Sequence, residues 1–320
     1  MNIDKLVYFP LNQNYIQGGN EEIMRALTHP KVILSSIDQK TKEAVLETIT
    51  NSRKMQKELV INIIFGAYKS PQVPRSFLAN WAEVFNVRFM LQTLARIAHL
   101  YPYPIVLEYY LQDSYLAQIN HIPTVEIEHY IRSFLEIVAF YNHWLLKSDL
   151  NIRIDAKRES ELVDRKKFAA RIQQNYEEIS LAWQREQGQL TKLQALERAS
   201  RNLRLNNPSH ETLIHSAALH TAYIQTSIEL DTRQAKNKIL LVHRKIRPSG
   251  ELTIPFRSCS SSAVQFWIGE GCVLANQHKV YPTILSPSRI AAYRHVDTIA
   301  NNQYRFNNEN LKTINLMCNV

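Results

Sequence analysis

Glycine is scarce in this chain of 320 residues, which contains only seven, whereas average usage would give about three times as many. The seven cannot be assembled into a G-x-G-x-x-G turn, a G-x-x-x-x-G-K-[ST] loop or a G-x-S-x-G elbow. Those motifs hold a dinucleotide, a nucleoside phosphate and a serine nucleophile, respectively. The composition therefore argues against all three classes of site.

Cysteine is also scarce, and long apolar runs are missing. The three cysteines, Cys259, Cys272 and Cys318, are odd in number and never form C-x-x-C, so neither a disulfide framework nor a cysteine-built zinc site is expected. His210 and His215 are five residues apart, one too many for H-E-x-x-H. Without an apolar leader or membrane-length run, the sequence predicts a cytoplasmic, metal-free protein that does not contact a membrane.

Basic residues exceed acidic ones, with 38 Lys and Arg against 29 Asp and Glu and a net charge of +9. Hydrophobic residues make up 45% of the chain, which is too many for a disordered protein. Cations are concentrated at residues 153–171 and 233–247. This charge keeps nucleic acid open as a partner, although no RNP, KH or dsRBD pattern accompanies it.

Strand and helix patterns alternate along the first half of the chain. Residues 59–65 form a nearly continuous, β-branched apolar run, which is typical of a strand buried on both faces. A helical stripe at 81–100, a second strand pattern at 105–111 and a helical pattern at 124–146 follow. This order predicts an α/β fold with a mixed, largely parallel, Rossmann-like sheet and flanking helices.

The remainder of the chain has two parts of different character. Residues 147–230 are charged, rich in glutamine and helical, without a strong strand signal, and are predicted to cover the sheet. Strand signals return at 238–246, 252–256, 263–274 and 281–285, at spacings that favour antiparallel neighbours. We therefore divide the chain into the first half of an α/β core at 1–146, a helical covering region at 147–230 and a β-rich return to the same sheet at 231–320.

Two strand-end loops are candidate binding sites, because ligands of parallel sheets lie beyond the carboxyl ends of the strands. Lys69 and Ser70 follow the first predicted strand, and Asp113 follows the second. The competing interpretations are an ordinary strand-ending turn for the first loop and a helix N-cap for Asp113. If the two strands are parallel neighbours, Lys69 and Asp113 should face one hollow.

A cationic rim is predicted from the distant part of the chain. Between residues 233 and 247 there are six cations and no acid, with Lys245 and Arg247 where the strand pattern ends. Arg257 and the serine run containing Ser260 add further hydrogen-bond donors for phosphate or carboxylate oxygens. A solvated polar turn is the alternative explanation of the serine run.

Several of these residues lie in motifs that recur together in a known family. They are Phe65-Gly66-Ala67-Tyr68-Lys69-Ser70-Pro71, Asn80-Trp81-Ala82-Glu83, Tyr101-Pro102 and Gln112-Asp113-Ser114. In order and spacing this part of the chain, about residues 59–140, resembles the isocyanide synthases of pyoverdine and dityrosine biosynthesis. Two departures are visible: Gln112-Asp113-Ser114 stands where Ser-Asp-Gly is usual, and Pro255-Phe256-Arg257 where Pro-Trp-His is usual.

The resemblance implies an enzyme that converts the amino group of tyrosine or tryptophan to an isocyanide. Its carbon would come from ribulose 5-phosphate, without a metal or redox cofactor. On the matching positions, Lys69 and Ser70 would bind an anionic substrate group, and Glu83 and Asp113 would transfer protons. The charge argument adds Lys245, Arg247, Arg257 and Ser260 as groups that hold a phosphate or carboxylate.

Two other hypotheses remain open at this stage. The basic charge favours an RNA- or tRNA-binding or RNA-dependent protein, whose binding would weaken steeply with salt. The incomplete family pattern leaves room for a non-catalytic homologue. The expected partners of the first hypothesis are small molecules, an amino acid and a sugar phosphate.

Overall fold

A computed structural model describes residues 3–9, 18–73, 77–185, 189–230, 237–243, 252–276, 279–301, 304 and 306–319. Its helices are α1 (Asp4–Val7), α2 (Asn20–Leu27), α3 (Gln39–Lys54), α4 (Trp81–Ala95), α5 (Leu116–Asn120), α6 (Thr124–Leu145), α7 (Glu159–Leu162), α8 (Arg165–Ala182), α9 (Gln189–Asn202), α10 (His210–Glu229) and α11 (Pro287–Ile290). Its strands are β1 (Leu59–Gly66), β2 (Ile105–Gln112), β3 (Ile152–Arg158), β4 (Lys238–Val242), β5 (Thr253–Pro255), β6 (Glu270–Ala275), β7 (Val280–Leu285), β8 (Tyr293–Ala300) and β9 (Thr313–Asn319).

The first five strands form one sheet in the order β3-β2-β1-β4-β5. Every pairing within it is parallel, which confirms the predicted α/β class with a Rossmann-like parallel sheet and flanking helices. Gly66 pairs with Gln112 at the ends of β1 and β2. The loops that carry Lys69 and Asp113 therefore leave the same edge of the sheet, as the sequence predicts.

The two central strands are buried on both faces, and their side chains divide between two environments. Ile61, Ile63 and Phe65 of β1 join the main core together with residues of α3, α4 and α6. Ile64 and Tyr110, on the other face of the sheet, form a smaller cluster with residues of β4. Helix α4 is buried almost all round, which fits its broad apolar stripe.

Strands β6 to β9 correct the expectation that the last part of the chain returns to the same sheet. They form a second, four-stranded sheet in the order β7-β6-β9-β8. Only β4 and β5 rejoin the first sheet, and they pair in parallel rather than antiparallel. The predicted antiparallel pairing is confirmed for β6 and β7. The proposed division into three units stays a prediction.

Strand β3 was not expected, because it lies in the region predicted to be purely helical. Its sequence alternates apolar residues with the charged Arg153, Asp155 and Lys157, and it occupies an edge of the sheet. Arg153 pairs with Glu58, and Lys157 pairs with Glu108 of β2 at 2.6 Å. Charged side chains are common on edge strands. At β3 they make the segment too polar to be recognised as a strand from the sequence.

The helices α8, α9 and α10 pack together, with α10 against both α8 and α9. Their predicted role as a covering region stays a prediction. Ala195 and Ala199 of α9 are buried against Ala217 and Ala218 of α10. Small side chains at such positions let two helix backbones approach closely. None of the described helices is long and apolar enough to cross a membrane.

Gly271 of β6 allows the backbone at the start of helix α4 to approach the second sheet closely. A Cβ atom at this position would lie 2.2 Å from both the amide nitrogen of Ala82 and the carbonyl carbon of Trp81. The Gly271 amide also donates to the side chain of Asn80, the N-cap of α4, at 3.3 Å. The second sheet therefore packs directly against the start of α4, which carries Glu83.

We expect Gly271→Ala to lower the free energy of unfolding by about 1–3 kcal/mol, because overpacking against rigid backbone forces neighbours to move. Denaturant unfolding measures this loss. Gly19→Ala is the matched control, since no atom lies within 4 Å of its added Cβ. Equal stability of both variants would show that α4 does not depend on this close approach.

Candidate functional site

The carboxyl edge of the parallel sheet contains a buried ion pair between Lys69 and Glu83. Lys69 Nζ lies 2.8 Å from Glu83 Oε1, 3.0 Å from Glu83 Oε2 and 2.8 Å from the carbonyl oxygen of Phe266. Both side chains are 0% exposed. An ammonium has three donors, and all three point at these acceptors.

Glu83 reaches this position because it is the third residue of α4 in a capping box. Its Oε2 accepts from the amide of Asn80 at 2.7 Å, and the Asn80 side chain accepts from Ala82. The hydroxyl of Tyr130 in α6 donates to Glu83 Oε1 at 3.0 Å. The carboxylate thus joins the β1 loop, the start of α4 and the middle of α6.

Burial dominates the ionisation of this network. It lowers the pKa of Lys69 and raises the pKa of Glu83, while the charge of each partner opposes the shift of the other. Burial and the adjacent Glu83 raise the pKa of Tyr130, so the hydroxyl stays protonated and donates its hydrogen bond to Glu83. Binding of an anion at Lys69 would require the ion pair to open.

Asp113 is engaged by other partners and does not contact the Lys69 pair. Its carboxylate accepts from Arg158 Nε at 2.7 Å, from the amide of Ser160 at 2.9 Å and from the hydroxyl of Ser160 at 2.7 Å. Arg158 also pairs with Glu128. These contacts tie the ends of β2 and β3 to the start of α7, and the predicted role of Asp113 in proton transfer stays a prediction.

Glu159, next to Arg158, is a buried carboxylate that sequence reasoning missed. It accepts from the hydroxyls of Tyr223 at 2.6 Å and Tyr110 at 3.3 Å, and from the hydroxyl of Ser114. Burial raises its pKa. In the described part of the chain no lysine or arginine forms an ion pair with it. A buried carboxyl group with a raised pKa is a candidate for proton exchange.

A third group of polar side chains is linked by electrostatic effects across the β1 loop, α9 and α10. Burial raises the pKa of the Tyr68 hydroxyl, and the charge of Arg198 in α9 opposes that shift. Arg198 in turn affects His220 of α10. Tyr68 also influences Tyr130, so this group continues from the buried ion pair towards α9 and α10.

Desolvation lowers the pKa of both basic members of this group, His220 and Arg198, but only His220 loses its charge at pH 7. The surrounding protein and the charge of Arg198 lower the pKa of His220 to about 3, so its imidazole is neutral at pH 7. Desolvation also lowers the pKa of Arg198, but a guanidinium stays charged in proteins. Arg198 nevertheless remains exposed to solvent.

The remaining predicted residues lie elsewhere. Arg257 donates to the carbonyl oxygen of Ile33 at 3.2 Å, and Ser260 is exposed in a turn. Arg257 follows β5, three strand spacings from Asp113 at the end of β2, or about 14 Å. Ser70 is buried and accepts from the amide of Gln72 at 3.4 Å. Lys245 and Arg247 lie outside the described residues.

Helix α10 carries a polar stripe that the sequence could have shown. Ser216, His220, Tyr223 and Ser227 follow each other by four, three and four residues, which places them on one face of a helix. Ser216 donates to the carbonyl oxygen of Ile119 in α5, and Tyr223 donates to Glu159. This face is turned towards the carboxyl edge of the sheet. Its histidine, His220, is not one of the two, His210 and His215, that were compared with a metal motif.

Four of the seven cations at 153–171 are compensated by ion pairs. Arg153, Lys157, Arg158 and Arg171 pair with Glu58, Glu108, Asp113 and Glu229, respectively. Most of the second cationic stretch lies outside the described residues. No group of three histidine, cysteine or carboxylate side chains suited to a metal ion is present in the ranges that the structure covers.

One solved structure has the same fold over nearly the whole chain. The PvcA protein from Pseudomonas aeruginosa matches with a TM-score of 0.61 and 15% identity, over 94% of this chain and 100% of that one. A CDPS from Fluoribacter dumoffii matches with a TM-score of 0.34 and 15% identity, over 63% and 82% of the two chains. No protein-family model matches the chain, and no curated protein does. The PvcA match shows a remote relationship in fold.

We expect Lys69→Met to lower the free energy of unfolding by about 3–5 kcal/mol, because it leaves the Glu83 charge buried without its counter-ion. The double variant Lys69→Met with Glu83→Gln should regain much of this loss, since neither charge remains. Denaturant unfolding of the single and double variants measures the coupling. Lys312→Met, which breaks the exposed pair with Glu309, should change stability by under about 1 kcal/mol. A comparably small effect of Lys69→Met would contradict the assignment.

Proposed function

We propose that the chain is a small-molecule biosynthetic enzyme that joins the amino group of tyrosine or tryptophan to ribulose 5-phosphate and forms an isocyanide. The observation that carries this proposal is the arrangement of two buried carboxylates, Glu83 and Glu159, which each hold tyrosine hydroxyls at the carboxyl edge of the parallel sheet. The motifs at residues 59–140 and the fold shared with PvcA support it.

The first step of such a reaction is a condensation between an amine and a ketone. The ammonium of the amino acid loses a proton, its nitrogen forms a bond to the ketone carbon, and the carbonyl oxygen leaves as one water. Protons must therefore be removed from nitrogen and delivered to oxygen at neighbouring points. A well-placed acid or base contributes about 10² to 10⁴ in rate to such transfers.

Tyr223 and Ser114 are the groups that we assign to these transfers, with Glu159 as their positioning residue. Glu159 is fully buried and accepts from both hydroxyls, whereas Ser114 is partly exposed. The raised pKa of Glu159 brings it nearer to neutral pH, which suits both proton uptake and release. Glu83 accepts from the buried Tyr130 hydroxyl while it is paired with Lys69, and so supports the site from the β1 loop.

Aromatic side chains next to Glu159 suit an aromatic amino acid. The ring of Tyr223 lies 6.4 Å from that of Tyr115 and 5.9 Å from that of Phe168. Tyr115 is partly exposed and belongs to the loop after β2. Ring edges and faces at such distances favour a further aromatic ring, which supports tyrosine or tryptophan as the proposed amino acid.

The test is incubation of the protein with L-tyrosine or L-tryptophan and ribulose 5-phosphate labelled with ¹³C at its ketone carbon. We expect a labelled isocyanide, detected by mass spectrometry and ¹³C NMR. Glu159→Gln should lower kcat by about 10² to 10⁴ and remove the limb of the kcat pH profile that reports its carboxyl group. Tyr223→Phe should lower kcat without removing the Glu159 limb.

Absence of product with both amino acids would overturn the proposal. Tight binding of RNA that weakens steeply between about 50 and 200 mM salt would then support the RNA-binding alternative. Binding of both small molecules without turnover would favour a non-catalytic homologue. A Glu159→Gln variant with full kcat and an unchanged pH profile would remove Glu159 from the mechanism while leaving the activity itself intact.

A further inference from the structure

The strand order of the parallel sheet reverses between β1 and β4. From β1 the chain continues to β2 and β3 on one side, whereas β4 and β5 lie on the other side. Ligands of open parallel sheets bind beyond the carboxyl ends of the strands at the point where the order reverses. Gly66 ends β1, and His243 directly follows Val242, the last residue of β4. His243 therefore lies at the β4 side of this crevice.

Aromatic rings and one hydrogen bond hold the imidazole of His243. Its Nε2 lies 3.0 Å from the hydroxyl oxygen of Ser258. Its ring centroid lies 3.8 Å from that of Phe256 and 5.2 Å from that of Trp267. A Cβ atom added at Gly66 would lie 3.7 Å from the indole nitrogen of Trp267. The indole thus connects the end of β1 with His243 at the end of β4.

Ser258 is fixed by a chain of buried hydrogen bonds. Its carbonyl oxygen accepts from the side-chain amide of Asn86 in α4 at 3.0 Å. The side-chain oxygen of Asn86 accepts in turn from the hydroxyl of Tyr109 in β2 at 2.9 Å. Ser258 is 0% exposed. The imidazole of His243 is thereby tied to α4 and to a central strand.

The second ring nitrogen of His243, Nδ1, is buried and has no hydrogen-bond partner within the described residues. If the Ser258 hydroxyl donates to Nε2, Nδ1 carries the ring proton, and its N–H is the one group left unpaired. If Nε2 carried the proton instead, the Ser258 hydroxyl proton and the Nδ1 lone pair would both be left without a partner. Buried polar groups left unpaired are costly, so the first arrangement is favoured and Nδ1 is a donor.

The surroundings of this donor suit an uncharged oxygen atom. Phe256, Phe266 and Trp267 place aromatic rings around the imidazole, and an anion would lose its hydration among them at high cost. Burial lowers the pKa of His243 to about 3, so the ring is neutral at pH 7. A neutral imidazole N–H can act as an electrophile that polarises a carbonyl group.

We propose that His243 is a further catalytic residue, whose Nδ1–H donates a hydrogen bond to the ketone oxygen of the sugar phosphate. This inference rests on the proposed function. The hydrogen bond draws electrons towards the oxygen and favours attack of the amino nitrogen on the ketone carbon, while the proton stays on Nδ1. The ends of β2 and β4 are two strand spacings apart, or about 10 Å. The reacting groups would therefore lie between Glu159 and His243.

Infrared and ¹³C NMR spectra of the full chain with ribulose 5-phosphate, labelled with ¹³C at its ketone carbon, test this contact without turnover. We expect the carbonyl stretching band of the bound sugar phosphate at a lower frequency, and its ketone resonance further downfield, than in free solution. His243→Phe, which keeps an aromatic ring but removes both nitrogens, should return both signals towards their free values. It should weaken binding by about tenfold and lower kcat by about 10²-fold or more.

Two further variants separate the contact from a loss of folding. Ser258→Ala keeps the imidazole but removes the hydroxyl that fixes its tautomer, and should reduce the spectral shifts in part. His295→Phe is the control, since this exposed histidine of β8 bonds only Thr298 among the described residues, and it should leave both signals unchanged. Thermal unfolding shows whether each variant is folded. Bound ribulose 5-phosphate without shifted signals, or shifts that persist in His243→Phe, would overturn the inference.

The same measurements distinguish this inference from the proposed function. If the ketone signals shift in a manner that depends on His243 but no isocyanide is formed, the contact stands and the proposed activity fails. If isocyanide is formed and His243→Phe retains full kcat, the activity stands and the role of His243 is wrong. If ribulose 5-phosphate does not bind the unaltered protein, both are wrong.

Discussion

The structure at the carboxyl edge of the sheet depends on the buried ion pair between Lys69 and Glu83. Two charges removed from water stabilise a fold only when their geometry is good and their other hydrogen bonds are satisfied. Here the carbonyl oxygen of Phe266, the amide of Asn80 and the hydroxyl of Tyr130 meet that condition. The pair consequently fastens the β1 loop to α4, to α6 and to the turn that precedes β6.

This constraint decides where a ligand can be held. With the donors of Lys69 engaged by protein acceptors and Asp113 engaged by Arg158 and Ser160, the strand-end residues act as structural supports. Glu159, at the start of α7, is the carboxylate with remaining chemical capacity. Among the described residues, the side chains that donate hydrogen bonds to it are hydroxyls. We infer that the sheet supplies the rigid edge, and that the start of α7 and helix α10 supply the groups that exchange protons.

The sequence is sufficient to predict the central strands, the class of fold and the common edge at which the loops of Lys69 and Asp113 leave the sheet. β1 and β2 are apolar on both faces, and that pattern has few alternatives. The partner of Lys69 is harder to predict, because Asn80 and Glu83 show a capping box but nothing in it indicates which cation Glu83 meets. β3 is hard to recognise in the sequence because four of its seven residues are charged. The role of Glu159 depends on Tyr223, which is 64 residues away along the chain. Such pairings arise from packing between helices and sheet, which one sequence does not show.

A crystal structure of the protein with ribulose 5-phosphate tests the central claim most directly. The account predicts bound ribulose 5-phosphate with Lys69 still bonded to Glu83 and to the carbonyl oxygen of Phe266. Phosphate bound to Lys69, with its ion pair to Glu83 open, would contradict the account, since the buried pair would then be a binding group and not the support of the site.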